Sequence, residues 1–287
     1  MDIVVQVDHM PEVGETVVSK NMEMIPGGKG ANQAYAAGKL GNNVTMLGAV
    51  GEDAYGDILI DNLSKAGVDI SKISRKKEST GLALITVNED GDNSIVVVAG
   101  VNSAIDETYI DQNEDVIKES DIIIFQLEIP IKTVLYAAKK AKRFGKTVIL
   151  DPAPVPDDFP EELYSYVDII KPNETELKRL IHESSEVNDL FRATEILRKK
   201  GIKNVIVTLG DRGVFINSES VGTLQIPARE VVPVDTTAAG DSFTAAMAVM
   251  LAQGEDIRTA VEFANKVASI VVTRRGAQSS IPDKSEI

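Results

Sequence analysis

Residues 234–243 read Val234-Asp235-Thr236-Thr237-Ala238-Ala239-Gly240-Asp241-Ser242-Phe243. They join a β-like run to a long apolar helix, which is predicted to begin at residues 239–241 and to stop near Gly254. The first backbone N–H groups of a helix have no acceptor inside the helix, so they point outward and favour an anion. The small side chains at 238–240 would let a phosphate group approach that backbone. The sequence therefore predicts an anion site at this helix N-terminus.

Asp241 is the unexpected residue here, because a carboxylate repels a phosphate group. The repulsion makes sense if Asp241 takes a proton from a nucleophile that attacks the phosphate. The alternative is that Asp235 or Asp241 simply caps the helix, which is a common role for Asp at this position. The stretch taken alone leaves both interpretations open.

Composition narrows the classes of protein. The chain has 287 residues, of which 43% are hydrophobic, and a formal net charge of -14, which disfavours binding to nucleic acid or to an anionic membrane. The absence of cysteine excludes disulfides, thiol catalysis and cysteine-ligated metals, and two histidines make a multi-histidine metal site improbable. We find no apolar run of the roughly 18 residues that a membrane span needs and no basic leader. We therefore expect a cytoplasmic protein.

From residue 106 onward the pattern alternates between helices and short apolar strands. Strands are predicted at 122–127, 147–150, 167–170 and 204–209, with helices at 106–119, 131–144, 174–181 and 188–200. Such alternation indicates a mostly parallel sheet covered on both faces, whose ligands bind beyond the carboxyl ends of the strands. Polar residues follow these strands in Gln126-Leu127-Glu128, Asp151-Pro152-Ala153, Lys171-Pro172-Asn173-Glu174 and Thr208-Leu209-Gly210-Asp211.

Two β-rich segments lie outside this alternation. Residues 3–25 are extended and interrupted by Pro11 and Gly14, and residues 80–100 read as a hairpin around an Asp-Gly turn. No repeat or linker separates them from the rest. We therefore expect one domain over residues 1–287, with a discontinuous β lid from about 3–25 and 80–100 over the site.

A glycine cluster, Gly27-Gly28-Lys29-Gly30, precedes a predicted helix that starts with Ala31-Asn32. The cluster is not a Walker A loop, because Gly30 follows the lysine where Ser or Thr would be needed, and it is not a dinucleotide fingerprint. A flexible turn is the ordinary interpretation. The functional one is a close backbone approach to a polar small molecule, with Lys29 and Asn32 as hydrogen-bonding groups.

The other candidates each have an ordinary explanation as well. Glu128 could be a surface residue at a strand end. Asn173-Glu174-Thr175-Glu176 could cap a helix, or hold hydrated Mg²⁺ beside phosphates. The turn at 208–213 could lie against a nucleotide or only join two strands. Arg274-Arg275 suits a helix C-terminus through the helix dipole.

Taken in order, these motifs resemble the ribokinase branch of the phosphofructokinase-B group of carbohydrate and purine kinases. The motif at 27–32 is similar to the first signature of the group and the motif at 235–243 to the second. Asn-Glu-Thr-Glu at 173–176 resembles its N-x-x-E motif, and 273–278 resembles the tail of this branch. The resemblance covers essentially the whole chain. It implies an α/β fold, a three-layer α/β/α sandwich with a mostly parallel central sheet and a small β-sheet lid.

The resemblance also implies an activity and the residues that perform it. The reaction would be transfer of the ATP γ-phosphate to O5 of D-ribose. The catalytic residues would be the base Asp241 and an anion hole of Ala238, Ala239 and Gly240. The sugar would be held by Asp2, Gly28, Lys29, Asn32, Glu128 and Asp241. The nucleotide would contact Asn173, Thr208, Gly210, Asp211, Gly213, Gly240 and Asn265.

Two metal ions are part of the same expectation. Glu176 would order Mg²⁺ through water. A K⁺ site would use Asp235, Thr237, Val271, Arg274, Gly276 and Ser280. The resemblance further implies a homodimer formed through the lid.

The ends of the chain depart from the group. Its members have an opening strand and an Asn before the segment that corresponds to Met1-Asp2, and they usually continue into one more helix beyond Ile287. From this difference we expect weaker sugar binding and a mis-assigned or trimmed start. The alternatives to a ribose kinase are a kinase of the same group that acts on fructose, a nucleoside or a keto-deoxy sugar acid, or a non-catalytic sugar sensor.

Overall fold

The computed structural model describes residues 1–182 and 189–287. The strands are β1 (Asp2–Gln6), β2 (Asn21–Ile25), β3 (Gly48–Gly51), β4 (Ile73–Lys76), β5 (Leu82–Val87), β6 (Asn93–Val98), β7 (Ile122–Phe125), β8 (Thr147–Leu150), β9 (Ile169–Ile170), β10 (Asn204–Thr208), β11 (Val214–Ser218) and β12 (Gly222–Ile226). The α-helices are α1 (Lys29–Lys39), α2 (Ala54–Lys65), α3 (Glu107–Gln112), α4 (Glu114–Glu119), α5 (Ile131–Arg143), α6 (Glu174–Leu180), α7 (Leu190–Lys199), α8 (Ala239–Ala252) and α9 (Ile257–Val271).

The central sheet has the strand order β12-β11-β10-β9-β8-β7. Strands β7, β8, β9 and β10 are parallel to one another, whereas β11 and β12 continue the sheet in antiparallel pairing. The parallel part brings the carboxyl ends of neighbouring strands to one edge, with Leu150 paired to Ile170. That edge is where the polar strand ends noted in the sequence come together.

Alternate side chains of each parallel strand enter different hydrophobic clusters, because successive residues of a strand point to opposite faces. Val148 and Leu150 of β8 pack in the cluster that contains α5 and α7, and Ile149 packs in the cluster that contains α8 and α9. Helix α8 packs between α1 and α9, and its side chains from residue 241 to 249 are buried. The result is three layers, helices on both sides of a sheet.

The lid sheet, as we call it, is formed by β2, β1, β5 and β6 in that order. Strand β1 pairs antiparallel with β2 and parallel with β5, so the sheet joins segments from both predicted β-rich regions. Every residue of β6 is exposed, including Ile95, Val96, Val97 and Val98. The lid sheet therefore presents open apolar surface.

Several elements differ from the sequence-based expectation. The predicted helix at 106–119 is broken at Asn113, whose buried side chain donates to the backbone oxygen of Tyr109 instead of continuing the helix. The residues from 43 to 50 favour a strand by composition, but the ladder with β4 runs only from Gly48 to Gly51. We did not predict β4, β11 or β12. In the described parts of the chain, no helix combines the length and the apolar character needed to span a bilayer.

Candidate active site

The N-termini of α1 and α8 meet the carboxyl ends of the parallel strands at one edge of the central sheet. Glu128, which follows β7, accepts a hydrogen bond from the backbone N–H of Lys29 at 2.8 Å. Lys171, which follows β9, donates to the backbone oxygen of Gly240 over a long 3.4 Å. Thus two loops that were singled out in sequence, around residues 29 and 240, both lie on the strand ends, and we refer to the region between them as the cleft.

Asp241 lies at the centre of this cleft and is buried, with 7% of its surface exposed. Its two carboxylate oxygens accept hydrogen bonds from two consecutive side chains of α1. Asn32 Nδ2 donates to Oδ2 at 2.9 Å, and Gln33 Nε2 donates to Oδ1 at 3.1 Å. Both partners are amide donors, so together they fix the orientation of the carboxylate group.

The turn before α8 has an unusual backbone. Ala238 is the N-cap of α8 and adopts the left-handed conformation with φ 60 and ψ 5, and no side chain caps the helix. A left-handed alanine costs about 1–2 kcal/mol, and such strain is found where function requires a special backbone path. The capping alternative for Asp235 and Asp241 is therefore wrong. The N–H groups of Gly240 and Asp241 lie in the first turn, where the helix itself supplies no acceptor.

Asp235 holds the turn from outside the helix. Its Oδ1 accepts from the N–H of Thr237 and its Oδ2 from the N–H of Gly276, each at 2.9 Å. Burial raises the pKa of this carboxyl, but hydrogen bonds from Thr237 and Gly276 outweigh it and keep the pKa below its ordinary value. Asp235 therefore carries a negative charge between residue 237 and the loop after α9.

The predicted sugar residues line the opposite wall of the cleft. Gly28 is the N-cap of α1 at φ 94, and a Cβ on Gly27 would lie 2.0 Å from Asp2 Oδ2, so the chain passes too close to Asp2 for any side chain. Asp2 belongs to the lid sheet. Asn32 also belongs to this wall, and its Oδ1 accepts from Gln278 Nε2 at 3.0 Å.

The charges on this wall influence one another. Burial raises the pKa of Asp2 and of Glu128, and the negative charge of Asp241 adds to both effects. Burial lowers the pKa of Lys29, but Asp241 and other carboxylates nearby outweigh it, so the net direction is upward. The wall thus combines carboxylates that hold protons more tightly than usual with a lysine that stays charged.

The predicted nucleotide residues lie past β9 and β10. Asn173 and Glu176 form a capping box at the start of α6, in which Glu176 accepts from the N–H and the Nδ2 of Asn173 at 2.8 and 3.0 Å. Gly210 has φ 61, and a Cβ on Gly213 would meet the backbone oxygen of Ile226 at 2.0 Å. These glycines allow a tight, exposed turn after β10.

Three further members of that predicted set are placed as follows. Thr208 forms an isolated parallel bridge with Asn173, which brings the two loops together. Asn265 on α9 donates to the backbone oxygen of Pro227 at 2.8 Å, and Asp211 is exposed in the turn. All of them lie at the edge of the central sheet where α8 begins.

The predicted cation residues surround the loop after α9. Val271 is fully buried, Gly276 has φ 90, and Ser280 is buried with its hydroxyl donating to the backbone oxygen of Ala277 at 2.6 Å. The side chain of Arg274 turns away to pair with Glu286 at 2.7 Å. Among the described residues, no group of three or more His, Cys, Asp or Glu side chains could hold a metal ion.

Four residues of the site were missed as functional residues in the sequence. Gln33, Asp151, Lys171 and Gln278 are buried around Asp241 and Asn32, and Asp151 accepts from Gln33 Nε2 at 2.8 Å. Asp151 and Lys171 had a signal, since each directly follows a predicted strand. Gln33 and Gln278 had none, because a glutamine in a helix or turn is usually a surface residue.

Phosphoryl transfer requires a base and an anion site, and a buried carboxylate beside a helix N-terminus is an arrangement that can supply both. The model of the pfkB family carbohydrate kinases matches residues 1–284, and the chain belongs to that family. A ribokinase of Haemophilus influenzae is 38% identical to it over 99% of this chain and 93% of the relative. A deoxyribokinase of Salmonella typhi is 35% identical over 98% of this chain and 92% of the relative.

Solved structures agree with this assignment. A ribokinase from Thermotoga maritima superposes with a TM-score of 0.92 at 41% identity, covering 99% of this chain and 94% of that one. An Arabidopsis thaliana ribokinase complexed with ribose and ATP superposes with a TM-score of 0.92 at 36% identity, covering 99% and 93%. The predicted family and the predicted α/β sandwich are confirmed.

Proposed function

We propose that this chain transfers the γ-phosphoryl group of ATP to O5 of D-ribose and releases D-ribose 5-phosphate and ADP. The observation that carries the proposal is Asp241, buried at the start of α8 with both oxygens fixed by Asn32 and Gln33. The relatives named as ribokinases along nearly the full chain, one solved with ribose and ATP, support the acceptor and the donor.

In the reaction, the O5 oxygen forms a bond to the γ-phosphorus while the bond from that phosphorus to the leaving ADP oxygen breaks. Asp241 accepts the proton of the hydroxyl group. The N–H groups at Ala238, Ala239, Gly240 and Asp241 would stabilise the negative charge of the transferring phosphoryl oxygens. Asp2, Gly28, Lys29, Asn32 and Glu128 would orient the sugar.

The nucleotide would lie along the predicted residues beyond β9 and β10. These are Asn173, Thr208, Gly210, Asp211, Gly213 and Asn265. Support comes from the tight glycine turn after β10 and from its position at the same sheet edge as Gly240. The lid sheet would close over the sugar and exclude water, which competes as an acceptor, and we propose that residues 1–287 act as one kinase domain.

We propose that both predicted metal ions act in this site, and their donor sets fit. Two hydrogen bonds from Asn173 hold the carboxylate of Glu176 in place and occupy part of its capacity to accept. A contact to Mg²⁺ through water therefore suits Glu176 better than direct coordination. Asp235, with its lowered pKa, would provide the anionic ligand for K⁺. Thr237 would complete that set, together with mainly backbone oxygen atoms of Val271, Arg274, Gly276 and Ser280. The ions supply positive charge next to the phosphates and the anion hole.

The exposed apolar surface of the lid sheet supports a homodimer. Met24, Leu84 and Val96 lie in register on one face of the lid sheet and are all more than 40% exposed, which is unusual for apolar side chains of a monomer. We propose that a second copy covers this surface. Sedimentation velocity tests it: Val96→Lys should shift a dimer to monomers, and a wild-type monomer at micromolar concentration would contradict the dimer.

An acceptor panel tests the activity. ADP release with ribose, 2-deoxyribose, fructose, a nucleoside and a keto-deoxy sugar acid should be fastest with ribose. Deoxyribose is included because one relative is a deoxyribokinase. Faster turnover of another acceptor than of ribose would reject the proposed substrate.

Asp241→Asn tests the proposed base. A general base contributes about 10²–10⁴-fold to the rate, so kcat should fall by about a hundredfold or more while ATP still binds. Asp61→Asn, on the exposed part of α2, is the matched control and should keep wild-type kcat. A fully active Asp241→Asn enzyme would remove Asp241 from the mechanism.

A further inference from the structure

A buried ion pair lies behind the cleft, beneath the residues that the reaction uses. Lys171 Nζ and Asp151 Oδ2 are 3.2 Å apart, and the two side chains are 5% and 2% exposed. The pair is formed because Asp151 and Lys171 directly follow Leu150 and Ile170, which are partners in the parallel β8–β9 ladder. Its position is thus fixed by the parallel pairing of β8 with β9.

Each member of the pair reaches one part of the proposed catalytic apparatus. Asp151 Oδ2 accepts from Gln33 Nε2 at 2.8 Å, and the same Nε2 donates to Asp241 Oδ1 at 3.1 Å. Lys171 Nζ donates to the backbone oxygen of Gly240 at 3.4 Å. The pair therefore contacts the base through one amide group and the anion-hole turn directly.

The orientation of Gln33 is determined by a third strand. Its Oε1 accepts a hydrogen bond from Nε2 of Gln126, just beyond the end of β7. An amide has its donors and its acceptor on opposite sides, so this contact turns Nε2 toward Asp151 and Asp241. Flipping the amide of Gln33 would break all three contacts at once.

Stability alone does not account for such a pair. Taking two charges out of water costs several kcal/mol per ion, and replacement by neutral side chains of similar size is often neutral or stabilising. Asp151 Oδ1 moreover is buried and meets no hydrogen-bond donor among the described residues. A costly, incompletely satisfied ion pair in contact with two functional groups points to a role in the reaction.

We propose that Asp151, Lys171 and Gln33 form a positioning unit that holds the carboxylate of Asp241 and the turn at Gly240 in their reactive arrangement. None of the three needs to touch the substrate. The inference rests on the proposed function, because it requires Asp241 to be the base. Small displacements of a base and an anion hole are costly to rate, whereas ground-state binding is less sensitive.

The main test is the neutral double variant Asp151→Asn with Lys171→Met, which leaves no unpaired buried charge. We expect kcat to fall by about tenfold or more, with KM for sugar and ATP changed by less than about threefold. The matched control is Asp168→Asn with Lys142→Met, which removes the 2.7 Å ion pair near the other end of the same strands. It should keep wild-type kcat.

A second variant keeps the test decisive if the double variant does not fold, as judged by circular dichroism. Gln33→Met preserves length but removes the amide, and it should show the same loss of kcat with little change in KM. When both sets fold, their combination should lose little more than either alone, because one unit cannot be removed twice.

The results separate this inference from the proposed function. All kinetics use the acceptor that the wild type phosphorylates fastest in the panel, so a different sugar rejects the proposed substrate and still tests the unit. Wild-type kcat in the folded double variant, or in Gln33→Met if the double variant is unfolded, would overturn the inference. A loss confined to KM, or an equal loss in the control pair, would overturn it as well.

Discussion

Asp151 makes the stability of the protein depend on pH in a way that the neutral double variant should abolish. The pKa of Asp151 is raised from 3.8 to about 6, mainly by burial, while the positive charge of Lys171 opposes the rise and the negative charge of Asp241 adds to it. A carboxyl with a raised folded-state pKa binds its proton more tightly in the folded protein. Its favourable contribution is complete below about pH 3.8 and is lost as the pH rises through about 6.

The size of the effect follows from the pKa change. A rise of about two in pKa corresponds to about 3 kcal/mol of unfolding free energy over the whole window, of which about 2 kcal/mol falls between about pH 4.5 and 7.5. The unfolding free energy of the wild type minus that of Asp151→Asn with Lys171→Met should therefore fall by about 2 kcal/mol between about pH 4.5 and 7.5. The shift moves against the wild type as the pH rises.

Urea titrations at a series of pH values measure this difference. Far-UV circular dichroism is the suitable signal, because the chain contains no Trp. Other titrating groups are present in both proteins, so most of their contribution cancels in the difference. Curves that stay parallel within about 0.5 kcal/mol from pH 4.5 to 7.5 would show that Asp151 is ionised as readily as in the unfolded chain, and would refute the reasoning.

Three further predictions concern other contacts. Ala238→Gly should raise the unfolding free energy by about 1 kcal/mol, because glycine adopts the left-handed turn without strain. An unfolding free energy below that of the wild type in urea titration would contradict this prediction. Asp235→Asn should weaken the proposed activation of turnover by K⁺, measured against Na⁺ in the ADP assay, and unchanged activation would remove Asp235 from the proposed cation site. Asp53→Ala should cost about 2–4 kcal/mol, because Asp53 caps α2 and also accepts from the buried N–H of Thr80 at 2.8 Å. Asp106→Ala, which removes a cap alone, should cost about 1 kcal/mol, and equal losses would refute the second role.

The start of α8 could be predicted from sequence because its signals are local. Small residues followed by a long apolar run define a helix N-terminus wherever the chain goes. The short strands β11 and β12 lacked such a signal, because they are only five residues each and their neighbours determine their pairing. The break at Asn113 also escaped prediction, since it depends on one side chain binding the backbone of Tyr109.

The residues of the candidate site also separate into those that local sequence predicts and those that depend on the assembled fold. Gly27 and Gly28 were recognisable from their pattern, and the structure gives the reason, which is the approach of Asp2 and a positive φ. The burial of Gln33 could not be predicted, because it depends on α8 covering α1 and on Gln126 arriving from β7. The pairing of Asp151 with Lys171 requires the strand order, which periodicity does not supply.

The proposed sugar site is divided between the lid sheet and the helices of the central domain, and this division would affect the kinetics of the reaction. Asp2 is carried by β1 in the lid sheet, whereas Asp241 is anchored on α8 beneath the central sheet. In the proposed reaction, a sugar bound to both carboxylates would be a non-covalent cross-link between the two. The phosphorylated product would then leave only when that cross-link breaks, so its departure and the opening of the lid sheet would be a single event. A substitution on the lid sheet that loosens it would raise the rate of product departure without touching the chemical step.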